Sequence, residues 1–539
     1  MALPLLMGVE TEYAITAFNR DGSADPGGWV DSFIPMARQR RPYLADAHAS
    51  KGVYLGNAAR FLIDAGLHPE YATPECTSPR DAVTHVRAGD RLMLELSSAI
   101  AEVAPGVTEL AVFRNNVDYG GAGTTWGSHE SLLFRGDPRT LPAALIGHLV
   151  TRIIYTGAGG FNPLVPGAEF TLSPRVWMLE HVISANSTSA RGIFHTKDES
   201  LSVAGYHRLH VLCGESVCSD LSLLLRVGVT ALIVATIDAG EMGTEELELM
   251  APLESIRAVS SDPECRASLL LRNGERLSAI DLQRRYLRRV DDYRRRGGLP
   301  EWADEICTRW SHALDQLARQ SPWLEENIDW AMKRALFRRW AGSEAWSRLG
   351  AHSDAWRYVS RKFEGALKAP GGERPTLQLE LLLSEGGPIP DAVARATRYL
   401  RSKKLDWEGV KRFCTLRAEL MEIDVRFGQL GPRGVFEQLQ RLATATQPLI
   451  AADAIMAAQW EPPLGSRAKV RGELIQSLHE SGKGGFHGCG WTRVSNLREG
   501  RHIDLCNPFE TEARWQRCGG DEQPVPIFRQ RHMEEETFF

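Results

Sequence analysis

The stretch Arg60–Glu75, Arg-Phe-Leu-Ile-Asp-Ala-Gly-Leu-His-Pro-Glu-Tyr-Ala-Thr-Pro-Glu, constrains this chain more than any other. Arg60, Asp64, His68, Glu70 and Glu75 crowd into segments too short and too broken by proline for a helix face. They read as two extended runs joined by a turn. Side chains alternate along a strand, so Arg60, Leu62 and Asp64 share one side, while across the turn Tyr71, Thr73 and Glu75 oppose Glu70. A strand seldom carries so many ionisable groups unless its polar face lines a cleft.

The start of the chain supplies a matching piece. Leu5–Ile15 reads Leu-Leu-Met-Gly-Val-Glu-Thr-Glu-Tyr-Ala-Ile, a hydrophobic strand in which Glu10 and Glu12 project from one face into what should be core. Ionised carboxylates there are costly without a cation, so the functional reading is a divalent-metal site of hard oxygen ligands. A half-exposed strand with a solvated acidic face is the alternative, and the apolar flanks weigh against it.

Several motifs, in one order from end to end, carry a family resemblance: Met7-Gly-Val-Glu-Thr-Glu-Tyr13, Asn57-Ala-Ala-Arg-Phe-Leu-Ile-Asp64, Leu67-His-Pro-Glu-Tyr-Ala-Thr-Pro-Glu-Cys76, Phe113-Arg-Asn-Asn-Val-Asp118, Gly127-Ser-His-Glu130, Tyr206-His-Arg-Leu-His-Val211, Asn327-Ile-Asp-Trp330 and Arg467-Ala-Lys-Val-Arg-Gly-Glu473. Together they resemble the Pup ligase and Pup deamidase/depupylase family. The resemblance implies an α+β, glutamine-synthetase-like large domain, a curved antiparallel sheet packed by helices, followed by a small C-terminal α/β domain. A boundary near Thr446–Pro463 gives residues 1–450 and 451–539.

The resemblance also implies the chemistry: an ATP- and Mg²⁺-dependent enzyme acting on the C-terminal Gln or Glu side chain of a small ubiquitin-like protein tag. ATP's γ-phosphate passes to that carboxylate, after which a substrate lysine attacks; the same pocket serves amide cleavage. Glu10, Glu12, Glu70 and His210 are the implied metal ligands and Asp64 the base or nucleophile. Arg60, Thr73, Arg208, Arg467 and Arg471 fall near the nucleotide, and Trp491 at the adenine position, where an indole face suits a flat base. Four positions depart from the pattern: Leu62 for Tyr, Ser131 for Asn, His195 for Asn and Lys197 for Arg. The last keeps the charge and loses the bidentate fork.

Within the family, the short segment before Asp64 looks ligase-like. Val117-Asp118, Pro79-Arg-Asp-Ala-Val83, Arg191-Gly-Ile193, Leu282–Val290 and Trp310–Leu317 look depupylase-like. The expectation therefore leans to deamidation and isopeptide cleavage, with the ligase as the runner-up. A small-molecule carboxylate-amine ligase and an inactive tag-binding scaffold stay open. A neighbouring gene for a short disordered protein ending in Gly-Gly-Gln or Gly-Gly-Glu would support tag chemistry.

The partners the resemblance implies are the tag and its target proteins, and composition argues against others. A formal net charge of -5 over 539 residues offers no basic footprint for nucleic acid. No run of about 18 uncharged apolar residues calls for a membrane, and Met1–Leu6 lacks the basic start of a secretory signal. Nine scattered cysteines without a Cys-x-x-Cys pair read as reduced thiols of a cytoplasmic protein.

Between the motifs, periodicity predicts helices at Ser32–Gln39, Asp81–Val103, Leu141–Tyr155 (amphipathic), Leu221–Asp238 (a buried spine), Ile280–Arg296, Asp304–Gln320, Asn327–Trp340, Ala392–Ser402, Trp407–Phe427, Arg433–Thr444 and Arg467–Glu480. Strand Val107–Phe113 is expected to deliver Arg114, Asn115 and Asn116 to the cleft edge, next to the glycine loop Gly120–Gly127. Asn273-Gly274 marks a hairpin. Ile280–Arg296 carries seven arginines, a face that would attract an acidic tag. Ala369–Pro375 reads as a surface excursion, Gly482–Asn507 as a small β unit, and His532–Phe539 as a disordered tail.

Overall fold

The computed structural model describes residues 5–517 apart from 26–27, 121–122, 187–188, 197–200, 204, 364–378, 381, 385–386, 388, 443–447 and 513. Lys197, Ala369–Pro375 and His532–Phe539 lie outside the described residues. The architecture is organised by an 11-stranded sheet. In chain order its strands are β1 (Met7–Glu12), β2 (Tyr43–Asp46), β3 (Gly52–Leu55), β4 (Arg60–Ile63), β5 (Pro69–Ala72), β6 (Ser128–Phe134), β7 (His207–Val211), β8 (His487–Cys489), β9 (Arg493–Asn496), β10 (Arg501–Asp504) and β11 (Gln516–Arg517). Their spatial order is β7-β6-β1-β5-β4-β3-β2-β8-β9-β10-β11, antiparallel throughout except between β2 and β8. The Arg60–Glu75 stretch folds as expected into two paired strands about a turn.

Alternation along the central strands builds the two faces. Met7 and Val9 of β1, Leu132 and Phe134 of β6, and Leu209 and Val211 of β7 point down into the main apolar core. The residues between them, Glu10, His129, Ser131, Arg208 and His210, are left on the upper face. Helices fill the space beneath. Helix Pro79–Val103 starts at Ser78, whose side chain accepts from the Asp81 N–H. Its Gly89 lies so close under Tyr71 that a Cβ would stand 2.5 Å from the ring.

Helix Asp220–Asp238 is the buried spine: long and apolar enough to cross a membrane, it is packed inside the protein instead, and Arg226 within it is 1% exposed. Leu141–Thr151 departs from its expected amphipathicity, because Ala144–Thr151 is buried on every side. Helix Asp329–Lys362 runs well beyond the expected Trp340, breaking at Gly342, whose φ of 76° and ψ of 156° leave the helical region. The boundaries Val107–Phe113, Trp407–Phe427 and Arg467–Glu480 fall where periodicity put them.

Two expectations about charge are corrected. Arg114 is no cleft residue: it donates to Asp90 at 2.7 and 2.8 Å and to the Val217 carbonyl at 2.6 Å, and Asn116 exchanges hydrogen bonds with Ser216. In the arginine-rich helix, Ala279–Arg295, most of the arginines are paired. Arg284 pairs with Asp315, Arg285 with Glu275, Arg289 with Glu246, Arg294 and Arg295 with Asp291, and the following Arg296 with Glu241. The eight described cysteines are all free.

Strands β8–β10 and helix Arg467–Glu480 close around a small apolar cluster of their own, Leu44, Tyr54, Ile475, Cys489, Val494, Ile503 and Leu505. They join the rest of the protein through the β2–β8 pairing. The contact of Gly89 with Tyr71 gives a direct test of the packing under β5. Gly89→Val forces Tyr71 aside and is expected to lower unfolding free energy by about 1–3 kcal/mol in urea titrations, with the slope unchanged.

Candidate active site

The register of β1 assembles the site. Glu10 lies between Ala72 of β5 and His129 of β6, and Glu12 lies opposite Glu70. Leu62 of β4 continues the Glu12–Glu70 row, and Arg60 continues the Glu10–Ala72 row. Glu10, Glu12 and Glu70 therefore project from one sheet face within two rungs, and Asp64 follows β4 at the head of the turn.

Around Glu10 the cations gather. Its Oε2 lies 3.3 Å from His129 Nδ1 and 3.1 Å from His210 Nε2, and its Oε1 accepts from Arg208 Nη2 at 2.9 Å. Arg208 also donates to Ser131 Oγ at 3.0 and 2.8 Å, so the serine that stands in place of an asparagine holds the guanidinium. The His195 and His210 rings are 5.9 Å apart. Burial opposes ionisation of Glu10, but His210, His129 and Arg208 hold it well below the usual carboxylate range. His210 is pushed below the ordinary imidazole value, by burial first, with Arg208 and His129 adding to it against Glu10.

Glu12 is the second centre. It accepts the Gly127 N–H at 2.7 Å and lies 3.6 Å from His68 Nδ1 and 3.8 Å from His129 Nε2. Against the penalty of burial, His68, His129, Arg175 and the Gly127 amide bring it to about 2. His68 Nδ1 is also 3.4 Å from Asp64 Oδ2. Burial disfavours its charge, yet Asp64 and Glu12 carry it up to about 9. Glu70 moves the other way, raised by burial and then by the negative charges of Glu10, Glu12 and Asp64, with Arg60 opposing.

This donor set fits a divalent cation. Ligand atoms of Glu10, His129 and His210 fall within 4.8 Å of one another, as do those of Glu12, Asp64 and His68. The rise at Glu70 is the mark of carboxylates crowded without enough positive charge, which a metal ion between them relieves.

At the Met7 end of β1 the same face opens into a cleft. Glu10, Thr73, Glu75, Ser131, Arg208, Arg467 and Trp491 line it together with Leu6, Val9, Leu133, Leu201 and Pro508. Thr73 accepts the Val9 N–H at 3.0 Å. Arg467 donates to Glu75 at 2.7 Å and to the Leu201 and Leu505 carbonyls at 2.5 and 2.9 Å.

Two of the arginines expected at the nucleotide are committed elsewhere. Arg471, with 0% side-chain exposure, pairs with Glu75, donates to the carbonyls of Ala58 and Trp491, and stacks 4.8 Å from the Trp491 ring. It supports the wall of the cleft from behind. Arg60 donates to Asp46 Oδ2 at 2.6 Å and lies away from the cleft lining.

The sequence motifs contained His68 and His129 without assigning either a role, and Asp46 and Arg175 were not among the candidates. Alternation along β6 gives a signal for His129, which shares the face of Ser131 opposite to Glu130. Asp46 and Arg175 carry no local signal, because their partners are distant in sequence.

A cleft beside a sheet face of carboxylates and imidazoles is the site of an enzyme. A model of the Pup-ligase protein family matches residues 5–353 and 397–495, and the chain belongs to that family. It is 30% identical over 516 residues to the Pup–protein ligase of Nocardia farcinica, covering 94% of this chain and 96% of that one. It is 36% identical over 333 residues to the Pup deamidase/depupylase of Mycobacterium tuberculosis, covering 60% and 65%. The fold matches crystal structures of the ligase PafA. In the complex with Pup the TM-score is 0.69 at 23% identity, covering 94% of this chain and 90% of that one. In the complex with ADP it is 0.65 at 23% identity, covering 89% of each.

Glu75 anchors both Arg467 and Arg471. Burial acts against it, and Arg471 and Arg467 bring it to about 2, against about 4.5 unfolded. A depressed folded value contributes stability that is complete above about 4.5 and lost as pH falls toward 2. Glu75→Gln is expected to cost about 3–5 kcal/mol at pH 7, the scale of a broken buried pair. In denaturant titrations the gap to the wild type should close between about pH 4.5 and 2.

Proposed function

We propose that this chain is a Pup–protein ligase: it uses ATP to activate the terminal glutamate side chain of a small protein tag and joins it to a lysine amine of a target protein. The observation that carries the choice of ligase is length. Likeness to the Nocardia ligase runs nearly end to end, whereas likeness to the Mycobacterium depupylase spans 60% of the chain. This reverses the lean toward deamidation drawn from short motifs, which sample only local stretches. The compact passage from Glu12 to Asp64, filled by short strands and one short helix, agrees with it.

In this reading β1 sets the direction of the reaction. Trp491 and Thr73 flank the base at the Met7 end, and Arg208 and Arg467 meet the phosphates. Glu10, Glu12 and Glu70, with His210 and His129, hold the divalent cation, which when bound neutralises charge on the transferring phosphoryl group. The tag's carboxylate takes the γ-phosphoryl group. The lysine nitrogen then attacks the carbonyl carbon, the amide bond forms as phosphate leaves, and Asp64 accepts the amine's proton. Residues 451–539 act in this scheme as a small C-terminal domain that brings Arg467 and Trp491 to the nucleotide.

The test is incubation of purified protein with ATP, Mg²⁺, a tag ending in glutamate and a lysine-bearing protein, read by mass. A conjugate whose mass equals target plus tag less one water is expected. Release of tag from a conjugate with no conjugation at all would overturn the ligase reading. Asp64→Asn should abolish the conjugate while calorimetric affinity for ATP stays within about twofold. Trp491→Ala should weaken ATP binding by about 1 kcal/mol or more through loss of the stacking face.

A further inference from the structure

His68 stands apart from the His129–His210 pair. It closes the turn from Asp64, and Leu67 before it adopts a φ of 61°, in the left-handed region. That bend brings the His68 N–H to Asp64 Oδ1 at 2.6 Å. It also places the ring's Nδ1 3.4 Å from Asp64 Oδ2 and 3.6 Å from Glu12 Oε2. Nδ1 is buried and makes no hydrogen bond of ordinary length to either.

The slot around the ring is tight. Trp126 lies against it with centroids 5.4 Å apart. On the other side a Cβ at Gly66 would stand 2.8 Å from His68 Cε1, so no other residue fits there without moving the imidazole. The Gly127 amide holds the far carboxylate, Glu12, by the same oxygen that faces His68. A nitrogen facing two carboxylates must carry a proton to be tolerated there, so Nδ1 is a donor. It has two acceptors within reach at nearly equal distance.

We propose that His68 is a positioning residue for Asp64: its Nδ1–H, set between Asp64 and Glu12, fixes the Asp64 carboxylate and ties that orientation to the state of Glu12. The inference rests on the role given to Asp64 above. With either carboxylate removed the Nδ1–H is left to the other, so the two orientations are linked. Such supporting contacts are worth about 10–100-fold in activity.

The experiment pairs His68→Ala with His68→Asn, whose side-chain amide donates from near the position of Nδ1. With the full chain, ATP, Mg²⁺, tag and target, His68→Ala is expected to lower kcat about 10–100-fold. KM for ATP should stay within about twofold, and His68→Asn should recover most of the loss. In an Asp64→Asn background the alanine change should bind ATP no differently. Unaltered kcat in His68→Ala, equal loss in both variants, or a loss confined to KM would overturn the proposal. Imidazole 15N NMR of the wild type supplies a readout independent of turnover: the His68 Nδ1–H signal should move in both Asp64→Asn and Glu12→Gln. A signal unmoved by Asp64→Asn also overturns it. Absence of any conjugate from the wild type counts against the proposed function, and the NMR result then decides the role of His68 alone.

Discussion

Two carboxylates on one strand, taken out of water two residues apart, are the constraint from which the rest of this structure follows. Glu10 and Glu12 project from the same face of β1, and each is held ionised against the cost of its burial. Charge that is desolvated must be met by other charge or by hydrogen-bond donors. The protein brings those donors from four places: β6 and β7 supply His129, His210 and Arg208, the glycine loop supplies the Gly127 amide, and the turn after β4 supplies His68. Glu70, by contrast, is raised, by its burial first and then by the negative charges of Glu10, Glu12 and Asp64.

Such a face holds only if the strands cannot slip, since a shift of one residue would turn Glu10 into the core and Val9 into the cleft. The underside supplies the lock. Glu130, directly below the site on β6, pairs with Arg152 at 2.8 Å and with Arg226 of the spine helix at 3.5 Å, and all three side chains are 1–2% exposed. Arg226 also holds Ser128 at 2.8 Å. A buried cluster of this kind contributes little net stability over well-packed apolar groups, but leaving one member unpaired is costly, so it penalises every other register. Arg114 with Asp90, and Asn116 with Ser216, do the same for the segment that leads into the glycine loop.

What the sequence discloses is whatever is encoded locally. The turn at Asp64–His68, the alternation of β1 and the period of the long helices need only a few neighbouring residues to be read, and their positions were legible. Partnerships across the chain were not. Nothing near Arg114 points to Asp90, and nothing near Arg471 points to Glu75, 396 residues away. Arg114 was expected at the cleft edge and Arg471 near the nucleotide; here both hold backbone carbonyls and carboxylates. The arginines of helix Ala279–Arg295 misled in the same way, since Glu241, Glu246 and Glu275 that neutralise them lie on other elements. The helix Leu141–Thr151 looked amphipathic because His148 and Thr151 are polar, yet they bond inward to Thr230 and Gln283.

The direction built into β1 also bears on the choice between making and breaking an amide. In the proposed reading, Asp64 and the nucleotide lie toward opposite ends of β1, with the carboxylates between them. Both reactions need the same carbonyl held at that midpoint, so the residues on the sheet face do not separate them. Separation falls to what reaches the carbonyl from the open side: a lysine amine, which needs a neighbouring base to lose its proton, or water, which needs the same base and no partner protein. A chain built to exclude water must cover the Asp64 turn, and here that turn carries Leu67, 62% exposed. In the proposed ligase reading, a docked target rather than the cleft itself would keep solvent from the activated carbonyl.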